Sequence, residues 1–335
     1  MVQARVERNH HFDFISGLLI TYVLFFHACH WGGYNGLVYN VLLRLFYWFM
    51  PWFFYKSGMY YKEQNIENLF LKSFKKLIVP YIIFTFIGLI VETVCLVIED
   101  EFNMRHLLRQ GWYLLIHGYI HANNPLWFLL TLFITQNLFN LLITKRVSAS
   151  VVLFVNLGFA FVITLLKCFE SVRPYFSIPY WCYSSNLACI FYAIGYLLRK
   201  RQYGNVITII SVIVTLLVLI FDFSYVSMNS NTVDIGHQST WIIGSLFSIL
   251  LVNNVVRFLP KRFCLLLSYP GRNTIVYLLC HVPIYSMIYI LNLKILKIDN
   301  EYTLSLLYFM SAILLMPILV HFLNKPKTSF LIGKG

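Results

Sequence analysis

DFISGLLITYVLFFHACHW, residues 13–31, opens on a carboxylate and then runs to its end without another Asp, Glu, Lys or Arg. As an α-helix rising 1.5 Å per residue it covers about 28 Å, close to the ~30 Å hydrocarbon core of a bilayer. A soluble core helix has no use for so long an uninterrupted apolar run. The stretch reads as a membrane span, and what surrounds it reads the same way.

Comparable runs recur along all 335 residues: Leu37–Gly58, Leu77–Ile98, Pro125–Thr144, Ala149–Leu166, Cys182–Leu198, Asn205–Phe221, Ser239–Val256, Asn273–Leu291 and Tyr302–Leu323. The expected fold is therefore all-α, a polytopic membrane bundle of about ten helices forming a single domain over 1–335. Composition agrees, with 59% hydrophobic and only 12% charged residues, against about 25% charged in soluble domains. Between the third and fourth runs, Arg105–His121 is amphipathic and aromatic, the pattern of an interfacial or re-entrant helix.

A net charge of +13 would suit a nucleic-acid binder, but the cations sit in short clusters between apolar runs. That is the positive-inside pattern, and it argues against nucleic acid as a partner. With the N-terminus in the cytoplasm, eighteen Lys and Arg fall on the inner side and six on the outer, while only Arg44 and Lys56 lie within spans. Both termini are expected to be cytoplasmic, in a cell (inner) membrane protein. The first run is too long for a signal-peptide core and no A-x-A-like cleavage site follows, so it is expected to stay. The seven cysteines show no CxxC spacing and read as core side chains.

Ionisable groups in lipid are costly, so each is a functional candidate. Counting rise along each run puts His27 and Glu92 about 21–22 Å above the inner edge and Arg44 about 10 Å below the outer one, at similar depths on three successive helices. A histidine, a carboxylate and a guanidinium there suggest an acid–base site: His27 takes a proton, Glu92 orients it, and Arg44 steadies an anion. The plainer reading is an Arg44–Glu92 ion pair tethering two helices. By the same count His281, about 12 Å above Asn273, falls in the inner half and away from His27. His27/His30 and His117/His121 have metal-ligand spacing, but the ten histidines are scattered over both sides, and no metal is expected. Arg8, Lys75, Lys76 and Arg272 flank inner helix ends and are candidates to bind a phosphorylated donor; topology and anionic membrane lipid are the plainer reasons for them.

Several of these segments together resemble the membrane acyltransferase-3 family, near its fucose 4-O-acetylase-like branch. FDFISGLLITYVLFFHACH (12–30) is similar to the family's opening helix, with an Asp near its start and a His near its end. MPWFFYKSGMYYK (50–62) resembles the end of the second helix, LKSFKKLIVPY (71–81) the basic approach to the third, and PLWFL (125–129) the start of a middle helix. SYPGRNTIVYLLCHVPIY (268–285) looks like the family's G-x-x-S-x-x-I-Y-L-x-H segment. The order and spacing of all five are those of the family, from Arg8 to about Tyr285.

The resemblance implies a ten-helix enzyme that takes an acyl group, usually acetyl, from coenzyme A in the cytoplasm. The acceptor it implies is a sugar hydroxyl on a lipid-linked or extracytoplasmic glycan. His27 matches the family's helix-one histidine, as catalytic base or transient acyl carrier. Two positions depart from the pattern. Many members carry Arg or Lys where this chain has Ser16, and a neutral residue is usual where it has Lys56. The competing readings are a glycan transporter or flippase, which would give no acylated product, and an N-acyltransferase for an amino sugar.

Overall fold

The computed structural model describes residues 9–168, 179–201, 204–221, 228 and 235–334. All regular structure among them is helical. The decisive run forms α1 (His10–Gly32). Its first amides are capped by the Asn9 side chain, and it ends at Gly33, whose φ of 77° suits a residue without a Cβ. The second run divides into α2 (Leu37–Leu45) and α3 (Phe49–Met59). Backbone groups freed inside a membrane need partners, and two indoles supply them: Trp48 Nε1 donates to the Leu45 carbonyl at 2.9 Å and Trp241 Nε1 to that of Tyr47 at 3.2 Å.

A helix α4 (Ile66–Ser73) continues through one π turn, Phe74–Ile78, into α5 (Val79–Ile98). Next come α6 (Met104–His117), α7 (Trp127–Thr144), α8 (Ala149–Cys168), α9 (Tyr180–Leu198) and α10 (Asn205–Ile220). The chain closes with α11 (Ile235–Val255), the short α12 (Lys261–Leu266) and α13 (Ser268–Arg272), then α14 (Thr274–Leu291) and α15 (Glu301–Leu323). Eight helical stretches among the described residues are long and apolar enough to cross a membrane, and α10 is a shorter apolar helix. The chain is an all-α polytopic membrane protein.

The bundle is apolar outward and mixed inward. On α10 only Ser211 and Val218 are buried, while Val206 and Ile220 face out. The most enclosed helix, α9, is surrounded by α3, α7 and α8 and carries Ser184, Ser185 and Asn186. Lipid-facing surface must be apolar, whereas an enclosed helix can place small polar groups against its neighbours. Glycines set the closest approaches. A Cβ on Gly58 would overlap the Tyr192 carbonyl and one on Gly195 the Tyr55 carbonyl, so α3 and α9 cross backbone to backbone. On α6, the outward face presents Leu108, Trp112 and Leu115 while Gln110 is buried, in keeping with the amphipathic reading of that segment.

Candidate active site

Between α1, α3, α4 with its π turn, α7 and α14 lies a cavity of about 460 Å³. Its lining includes Lys56, Lys62, Lys72 and Lys76, and no Asp or Glu among the described residues. Each lysine has a local reason for its place. Lys56 lies in the last turn of α3. Lys62 follows that helix in a loop held by Asn140 of α7, which accepts from the Tyr61 hydroxyl at 2.8 Å and donates to the Gln64 carbonyl at 3.0 Å. Arg199 donates to the Tyr61 carbonyl at 3.0 Å. Lys72 and Lys76 are four residues apart on one helical face, which Asn137 clamps by donating to Ser73 Oγ at 2.9 Å.

At the deep end the lining reaches Val23 and Leu278. One turn further along the same two helix faces stand His27 and His281. Their ring centroids are 5.1 Å apart. This corrects the depth count that separated them. A Cβ on Gly271 would overlap the Asp13 carbonyl and press on the Gly17 amide, so α13 meets α1 between Asp13 and Gly17, a turn above the level assumed. His27 is ten residues beyond Gly17 and His281 ten beyond Gly271, so both climb about 15 Å and meet. Tyr285 locks the register by donating to the Leu24 carbonyl at 2.8 Å.

His281 is buried, and its Nδ1 lies 2.8 Å from the Tyr277 carbonyl. A carbonyl only accepts, so Nδ1 carries the hydrogen and in the neutral ring Nε2 keeps its lone pair. That Nε2 is buried without a hydrogen-bond partner among the described residues. The buried Asn123 donates to the Leu279 carbonyl at 3.4 Å, two residues from His281, and its Oδ1 is likewise without a partner there. The sequence reading missed this second histidine as a partner. The signal was present in the equal ten-residue spacings from Gly17 and Gly271, but only the helix contact shows that those glycines meet.

The remaining candidates fall elsewhere. Glu92, assigned to orient His27, instead receives His106 Nε2 and Gln110 Nε2 on Oε1, both at 2.8 Å. The reason is that α6 carries His106 and Gln110 one turn apart on one face, and that face meets Glu92. Arg44 is exposed in the last turn of α2, a helix with no buried residue, and does not line the cavity. Arg272 Nε donates to Asp13 Oδ2 at 3.3 Å, tying α13 to α1, and does not line the cavity. Lys76 lines it; Lys75, next to it on the helix, does not. Arg8 lies outside the described residues. Among the described residues no group of three or more His, Cys, Asp or Glu side chains is placed to hold a metal ion.

A family model described as an acyltransferase domain matches residues 9–320. The chain belongs to the acyltransferase-3 family. No curated protein and no solved structure matches it. The matched region of this membrane acyltransferase contains both histidines and all four cavity lysines. Two adjacent imidazoles suit proton transfer to and from an attacking nucleophile, and clustered ammonium groups suit an anionic substrate.

Proposed function

We propose that this acyltransferase uses an acyl-coenzyme A, acetyl-CoA in the simplest case, to acylate a sugar hydroxyl on a lipid-linked or extracytoplasmic glycan. The observation that carries the reading is the His27–His281 pair standing one turn beyond the deep end of a lysine-lined cavity. The donor's phosphates lie among the lysines and its arm runs inward. His27 takes the proton of the acceptor hydroxyl as that oxygen attacks the thioester carbonyl carbon. The C–S bond then breaks, and the departing thiolate takes up the proton. His281, whose Nε2 lone pair has no partner among the described residues, stands beside His27 to accept an imidazole N–H when His27 takes up the proton.

Purified enzyme in nanodiscs with acetyl-CoA tests the chemistry through thiol release. Loss of a general base typically lowers the rate about 10²- to 10⁴-fold. His27→Ala should show that loss at normal abundance, and adding His281→Ala should cost little more, because groups acting as a unit are non-additive. A fully active His27→Ala enzyme would sink the mechanism. Mass spectrometry of surface glycans from cells with and without the gene addresses the acceptor. A shift of one acyl unit supports transfer, and the linkage separates ester from amide. Altered glycan display with no mass shift would favour the flippase reading.

A further inference from the structure

Of the four cavity lysines, Lys62, Lys72 and Lys76 are exposed and Lys56 is partly buried. The Lys56 ammonium donates to Ser16 Oγ at 2.5 Å and lies 5.2 Å from the Trp52 ring centroid. Ser16 is fully buried, and its hydroxyl hydrogen goes to the Phe12 carbonyl at 2.7 Å. The hydroxyl lone pair is thereby turned toward the lysine. These two residues are the chain's two departures from the pattern that its other segments follow: no cation at 16, and a cation at 56. In space they are one site, because the ammonium of residue 56 arrives where a long side chain on residue 16 would begin.

The level of this contact matters as much as its charge. Ser16 precedes His27 by eleven residues of continuous α1, a rise of about 16 Å. A phosphate held there leaves a span suited to an extended pantetheine arm, with the thioester arriving at the histidine pair. A phosphate held only by the mouth lysines would leave the thioester short of it.

We propose that Lys56, steadied by Ser16, is the innermost phosphate anchor of the donor site and sets how far the thioester reaches. Lys62, Lys72 and Lys76 then serve the outer phosphate. This rests on the acyl-coenzyme A reading above, and the experiment separates the two. Equilibrium binding of coenzyme A to the full-length protein in nanodiscs is measured for wild type, Lys56→Met, Lys56→Arg, and the reciprocal double variant Ser16→Lys/Lys56→Ser. Loss of one charge-assisted phosphate contact corresponds to about 10- to 100-fold weaker binding. Lys56→Met should show that loss and a matching rise in donor KM with acceptor KM unchanged. The reciprocal variant should recover most of the affinity, since it returns an ammonium to the same point from the other helix.

Wild-type protein that does not bind coenzyme A would refute the donor reading itself. Wild-type binding with equal binding by Lys56→Met would overturn the anchor alone. So would a folded reciprocal variant that binds no better than Lys56→Met. If Lys56→Met does not accumulate, Lys56→Arg against the reciprocal variant still decides, because both keep a cation at the site and both must bind.

Discussion

His27 and His281 differ in how much their neighbours determine their protonation. His281 has one nitrogen committed to the Tyr277 carbonyl, so its free nitrogen is an acceptor in the neutral ring. His27 carries the Phe26 ring edge-on at 5.3 Å and the His281 ring at 5.1 Å. Glu92 belongs to another network, and its removal should be read as stability. Glu92→Gln loses charge-assisted bonds to His106 and Gln110, which are worth about 1.5–3 kcal/mol where partly buried. The expected outcome is a lower melting temperature in detergent with kcat nearly unchanged. A large fall in kcat at unchanged stability would return Glu92 to the chemistry. His27 was legible in the sequence because the first helix resembles the family's. His281 was not legible as its partner, because the height of α14 against α1 depends on where Gly271 seats.

At the scale of elements, two devices hold the cavity open at its mouth. The crossing of α3 and α9 depends on Gly58 and Gly195, each against a carbonyl of the other helix. Gly58→Ala forces backbone apart, and overpacking of this kind typically costs about 1–3 kcal/mol. Thermal unfolding should register that loss, and donor KM should rise because Lys56 is two residues away. Asn140 is the second device. Asn140→Ala removes the acceptor of Tyr61 and the donor to Gln64, leaving buried polar groups unpaired at about 1–3 kcal/mol each. Limited proteolysis should then cut between Tyr60 and Asn65 faster than in wild type. An unchanged cleavage rate would show that Arg199 alone holds the loop. The sequence marks neither device: which carbonyl Gly58 or Gly195 meets, and which loop Asn140 holds, depend on segments distant in the chain.

For the molecule as a whole, the contacts gather one set of ends together. Asp13 meets Arg272, Lys56 meets Ser16, and the C-terminal turn at Gly333 lies against Lys75 and Lys76. At the opposite end Tyr289 donates to Glu99 at 2.5 Å, joining α5 and α14. The lysine and arginine count makes the first end the one expected to face the cytoplasm. Engineered cysteines at Glu63 and Lys327, both exposed, should therefore resist an impermeant thiol reagent applied to intact cells, while one at Asp299 should react. Labelling at Glu63 from outside would invert the protein and move the donor site to the wrong side of the membrane. The same cells, broken open, should label at all three positions.

The amino-acid sequence by itself determined that this chain is a helical membrane bundle, because long apolar runs tolerate no other solution in lipid. It also marked His27, through the local pattern around it, and placed Lys76 among cations suited to a phosphorylated donor. Only the tertiary structure decided which groups meet. Depth counted along a run assumes that every helix is continuous and starts at the membrane edge. Here α2 and α3 are separated by a break, α13 seats partway up α1, and α6 claims the carboxylate of α5. Those events are set by glycine contacts and polar pairing between segments as much as 259 residues apart, and periodicity within one segment carries no record of them.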